Sequence, residues 1–157
     1  MILFKKSVLI FIFPLFLFNC GFKVLNQSEL LNFEVEEYST NGDKKTSFFV
    51  KAELFKSFQN SNSKNKVNLI IKTTKEKSIK EKNISNQITK YQIKLITKVT
   101  LVYLNNSEQI IFSNTVNGSY DVSSNHSSTI NNQKKLEKKL AKDSAKVIIR
   151  DIILNNR

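Results

Sequence analysis

Few side chains in this sequence are equipped for covalent or acid–base chemistry. There is one cysteine, Cys20, and one histidine, His126, in 157 residues. A lone thiol forms no intramolecular disulfide and builds no cysteine-rich metal site. It is left as a nucleophile that can itself be modified. His126 sits in Ser124-Asn125-His126-Ser127-Ser128. A general base needs a placed nucleophile and an orienting acid; nothing of that kind surrounds it, so it reads as a solvated loop histidine. Three glycines in all leave no phosphate-cradling loop. The carboxylates are few and mixed with lysines, as on a solvated face. These residues lead us to expect no enzyme, no cofactor and no metal. What stands out is lysine. Lys72, Lys75, Lys77, Lys80, Lys82 and Lys90 crowd one segment, with Glu76 and Glu81 among them. Such a cluster suits the phosphates of an anionic lipid. The formal net charge of +12 also favours polyanionic partners. Part of it has a compositional source, because the chain is rich in Lys, Asn and Ile together.

The setting of Cys20 says where this chemistry would take place. Residues 1–7 carry Lys5 and Lys6, and residues 8–18 are apolar except for Pro14. That is the charged and apolar pair of regions of a secretory signal. The apolar run is about half the roughly 20 residues a spanning helix needs. Leu17 three residues before Cys20 and Gly21 after it resemble a bacterial lipobox, in which the thiol is acylated with diacylglycerol and the chain is cut before the cysteine. Phe18 and Asn19 depart from the small residues usual there. The expected division is a cleaved lipoprotein signal peptide over residues 1–19 and a single domain over 20–157. An unlipidated secreted protein is the alternative. Export weighs against nucleic acid as partner. So do the aromatics, which fall mainly on core faces and not among exposed lysines.

The elements that must carry these residues follow from periodicity. Residues 22–31 read as a tether. Residues 33–38 alternate apolar and acidic, a half-buried strand. Asn41-Gly42-Asp43 is a turn, with Asp43 placed to cap a helix over Lys44–Phe58. In that helix Phe48, Ala52 and Phe55, with Phe49 beside them, read as the core stripe, opposite Lys51, Glu53 and Lys56. Residues 60–65 are a polar linker. Residues 67–74 form a strand with Val67, Leu69, Ile71 and Thr73 on one face. Residues 75–86 read as a long hairpin tip or as twisted strands running past the core. Tyr91, Ile93, Leu95, Thr97, Val99, Leu101 and Tyr103 then hold period two. Asn105-Asn106-Ser107 turns the chain, and Ile110, Phe112, Asn114, Val116 and Tyr120 return it antiparallel. After a polar stretch over 121–129, residues 130–154 form an amphipathic helix with Leu136, Leu140, Ala141, Ala145, Ile148 and Ile152 inward. Lysines cover much of its remainder, and Glu137 at the stripe edge can pair with a neighbouring lysine. The simplest packing is a two-layer α+β fold: a four-stranded mixed or antiparallel sheet with two helices on one face.

Taken together these features resemble the LPS-assembly lipoprotein family, LptE, of alphaproteobacterial type. Cys20-Gly21-Phe22 is similar to that family's start. Tyr120-Asp121-Val122 resembles the end of its last strand, and Leu140-Ala141-Lys142-Asp143 with Ile148 and Ile152 resembles its closing helix. The resemblance implies two helices on a four-stranded sheet, in an outer-membrane lipoprotein held on the periplasmic side by acyl chains. It implies that the domain plugs a large β-barrel partner, LptD, and that the pair inserts lipopolysaccharide into the outer leaflet. Family members also bind lipopolysaccharide through basic residues; here the expected ones are Lys75, Lys77, Lys80 and Lys82. The alternative is another periplasm-facing lipoprotein, a lipid-transport accessory or an envelope scaffold.

Overall fold

A computed structural model describes residues 33–59 and 63–155. The signal peptide, Cys20 and the tether expected over residues 1–32 lie outside the described residues. The chain runs β1 (Glu34–Gly42), α1 (Lys44–Phe58), β2 (Lys66–Lys82), β3 (Ile88–Tyr103), β4 (Gln109–Asp121) and α2 (His126–Asn155). The sheet order is β1-β2-β3-β4. β1 is parallel to β2, with α1 as the crossover between them, and β2, β3 and β4 form an antiparallel meander. This is the mixed four-stranded sheet with two helices that the pattern of elements predicts.

Register explains how the two layers meet. Directly opposed residues in a sheet share a face. Tyr38, Leu69, Leu101 and Ile110 therefore make one row under the helices, and Thr40, Ile71, Val99 and Phe112 the next. Leu69, Ile71, Val99 and Leu101 are almost wholly buried. They meet Leu54 and Phe58 of α1 and Ile148, Ile149 and Ile152 of α2 in one core. The third row, Gly42, Thr73, Thr97 and Asn114, is polar. Its hydroxyls are met from above: Ser47 reaches Thr73 at 2.7 Å, Thr46 reaches Thr73 at 2.9 Å, and the Ser144 hydroxyl donates to Thr97 at 2.6 Å. Buried polar groups need partners, and this row has them from both helices.

The caps follow the sequence. The Asp43 carboxylate accepts from the Thr46 amide at 2.9 Å, closing the N-terminus of α1. Gly42 before it has φ +88°, a backbone conformation suited to glycine. At α2 the Asn125 side chain accepts from the Ser127 amide at 2.8 Å, so His126 opens the helix, exposed, and does not lie in a loop as expected. β2 continues to Lys82, so the segment after Thr74 is strand, and its first residues lie against α2 through Lys75–Glu137 and Lys77–Gln133. Its turn has Asn86 in the left-handed region, and Asn83 holds Ser85 and Gln87.

A second expectation, on the face of α1, is also overturned. The aromatic stripe of α1 is not its core face: Phe48 is 65% exposed and Phe55 45%. The buried residues are Thr46, Ser47, Val50, Leu54 and Phe58. The hydroxyls of Thr46 and Ser47 must reach Thr73, and this sets the rotation of the helix about its axis. Hydrophobicity alone would have chosen the larger aromatics.

Candidate functional site

Beyond the hydroxyl row, the interface between α2 and the hairpin turns ionic. The next helix-facing row begins with Lys75, opposite Leu95. Its amine lies 3.0 Å from Asp43 Oδ2 and 3.1 Å from Glu137 Oε1. Glu137 also accepts from Lys45 at 3.0 Å and from the Gln133 side-chain amide at 2.9 Å. Glu137 is 2% exposed. Burial alone would raise the pKa of its carboxyl, but the hydrogen bonds from Gln133, Lys45 and Lys75 outweigh that and hold it below the ordinary range. Asp43 behaves likewise: burial pushes up, and the Thr46 amide and Lys75 pull it down further. Lys75, lowered by burial and raised by its two carboxylates, ends above its usual value. These groups stay charged at neutral pH and tie α1, β2 and α2 together.

One row further out, Lys77 lies over the Tyr91 ring at 4.0 Å and within 5.6 Å of the Tyr120 ring. The two tyrosines stack with centroids 5.7 Å apart, and Tyr120 donates to Gln133 at 3.0 Å. An amine over an aromatic face is attracted by the ring quadrupole, which steers Lys77 while leaving it in contact with water.

The four lysines expected to act together thus occupy different settings. Lys75 is committed to Asp43 and Glu137. Lys77 shares the helix side of the hairpin with it. Lys80 is the extra residue of a bulge between Ile79 and Glu81, and its amine donates to Ser119 on β4 at 3.2 Å. Lys82, at the strand end, donates to Asn86 at 2.9 Å. Lys77, Lys80 and Lys82 are exposed. The part missed in sequence is the depth of Glu137. The helical pattern puts it at the stripe edge beside a neighbouring lysine; its lysine partners come from 92 and 62 positions away. The available signal was a carboxylate at helical spacing from Leu140 and Ala141.

A two-layer α+β domain with a mixed four-stranded sheet and two helices has counterparts among solved structures. The chain is similar to the rare lipoprotein B of Shewanella oneidensis, at 12% identity over 76% of this chain and 95% of that one, with a TM-score of 0.57. It is also similar to lipoprotein B of Nitrosomonas europaea, at 16% identity over 86% and 92% of the two chains, with a TM-score of 0.52. At such identities the likeness establishes the fold. No family model matches the sequence, and no curated protein does so significantly.

Proposed function

We propose that this chain is an envelope lipoprotein, anchored through Cys20 on the periplasmic side of the outer membrane, that plugs and helps assemble an LptD-like β-barrel and binds lipopolysaccharide on its way to the outer leaflet. The observation that carries the reading is the fold likeness, which spans most of this chain and nearly all of two lipoproteins. The position of Cys20 after a secretory-type leader supports the anchor. The role is not catalytic. Each acyl methylene buried in the bilayer contributes about 0.8 kcal/mol, and more than one chain gives stable anchoring. The ionic cluster makes the domain a stiff wedge, and Lys77, Lys80 and Lys82 offer amines to lipid phosphates through charge-assisted contacts that weaken with salt.

The test is a tagged pull-down from detergent-solubilised outer membrane, with intact mass on the bait. A triacylated bait starting at Cys20, in stoichiometric complex with one large β-barrel, is the expected result. A triacylated bait without a barrel replaces this reading with a lipid-transport accessory, and an unmodified bait removes the anchor. Replacing Lys77, Lys80 and Lys82 with Gln, leaving Lys75 to hold the fold, is expected to weaken lipopolysaccharide binding by about tenfold. Unchanged binding would reject the hairpin as the contact.

A further inference from the structure

The two free edges of the sheet are built in opposite ways. β1 spans 9 residues, carries Glu34, Glu36 and Glu37, and has a register shift between Val35 and Glu37. Charge, bulges and shortness are the usual devices that keep an edge from pairing with another chain. β4 has none of them. It runs 13 residues, Gln109–Asp121, pairs with β3 without a register shift, and contains no lysine and no proline. Its one charge is Asp121, the last residue. In a chain with 25 Lys+Arg and 13 Asp+Glu this stretch is conspicuously neutral. Among the described residues, no backbone hydrogen bond from another element reaches its outer side between Ile110 and Tyr120.

A basic lip overhangs that edge. A groove of about 340 Å³ lies between Ser119, Tyr120 and Asp121 of β4 and Asn132, Lys135, Leu136 and Lys139 of α2. Lys135 and Lys139 are exposed. Neither has an ion pair among the described residues. Lys146 follows two helical turns later, on the same flank.

We infer that β4 is a docking edge for an extended acidic segment of a partner protein, which adds a strand to the sheet beneath the lysine lip of α2. Main-chain hydrogen bonds would hold such a segment, and its alternate side chains would choose it. Those turned toward α2 meet Lys135 and Lys139 and call for carboxylates. Those turned away lie beside Ile111, Thr115 and Asn117 and call for small or β-branched groups. A second copy fits poorly, because pairing β4 with β4 about a two-fold axis brings two lysine lips together in a molecule of net charge +12. The chain's own segment over residues 22–32 fits poorly too. It balances Lys23 with Glu29 and so offers the lip no net negative charge. This inference does not depend on lipidation or on the identity of any barrel.

The experiment uses the chain from residue 20 with Cys20→Ser and a short capped peptide alternating Glu and Val. Amide hydrogen exchange is measured with and without peptide. Saturable binding with added protection along β4 is expected, and Lys135→Glu with Lys139→Glu should weaken it by about tenfold. Both sites are exposed, so circular dichroism should show the double variant folded. The same peptide with Lys in place of Glu should not bind. Absence of binding, protection at β1 instead of β4, or affinity unchanged by the charge reversal would overturn the inference. So would β4 protection arising from self-association without peptide, which would make a second copy the occupant.

Discussion

Glu137→Gln tests the ionic cluster with the least disturbance of shape. The carboxylate is buried and accepts from Lys45, Lys75 and Gln133. The amide keeps the volume and removes the charge. Stranding a buried charge costs about 3–5 kcal/mol, but neither lysine is stranded here. Lys75 retains Asp43 at 3.0 Å, and Lys45, with 45% of its side chain exposed, returns to water. What remains is the loss of charge-assisted hydrogen bonds less their replacement by weaker ones, a net cost of about 2 kcal/mol at neutral pH. For a domain of this size that lowers Tm by about 6–10 °C. The sign with pH is set by the depressed carboxyl. Its contribution is fully present above the unfolded value, near 4.3, and is lost as pH falls through the lower folded value. Asp43, also depressed, titrates in both proteins and largely cancels in the difference. Urea unfolding of the chain from residue 20 with Cys20→Ser, with and without Glu137→Gln, should show the gap at pH 7 and its closure in acid. A gap under about 0.5 kcal/mol at neutral pH, or one that does not change as the carboxyl is protonated, would refute the reasoning.

Gly42→Ala should be among the most damaging single substitutions, costing about 3 kcal/mol or more. The position has φ +88°, and a Cβ there would collide with the Thr73 carbonyl oxygen, which also accepts from the Asp43 amide at 3.0 Å. Thermal melts at neutral pH read the loss directly; a change within 1 °C would mean that the strand crossing is looser than the backbone geometry requires. The rotation of α1 is checked by a pair of substitutions. Leu54→Ala, at a fully buried site, should cost about 2–5 kcal/mol, whereas Phe48→Ser should stay within about 0.5 kcal/mol. If the order of the two reverses in urea unfolding, the helix is turned the other way.

Much of the fold was legible in the sequence because it is written in short-range periodicity. The alternation from Tyr91 to Tyr103, the same faces at Val67–Thr73 and Ile110–Tyr120, and the cap at Asp43 each involve residues within a few positions of one another. Steric and hydrogen-bonding rules act at that range, so these elements need no knowledge of what packs on them. The candidate site was less legible. The lysines of the hairpin could be found as a cluster along the chain, but alternation and a bulge send them to different surroundings, and Lys75 is taken up by two carboxylates.

The sequence by itself therefore determined the element order and the inward faces of β2, β3 and β4. The tertiary structure alone decided which side of α1 is buried, that Glu137 is an interior acid, and that β4 is the unguarded edge. Each of these depends on groups that meet through space from distant parts of the chain. Thr73 sets the phase of α1 through hydroxyls 26 and 27 positions away, and Glu137 finds cations 62 and 92 positions away. Hydrophobic patterning ranks residues by their own apolarity. It carries no information about a hydroxyl or a carboxylate whose burial is made favourable only by a partner on another element.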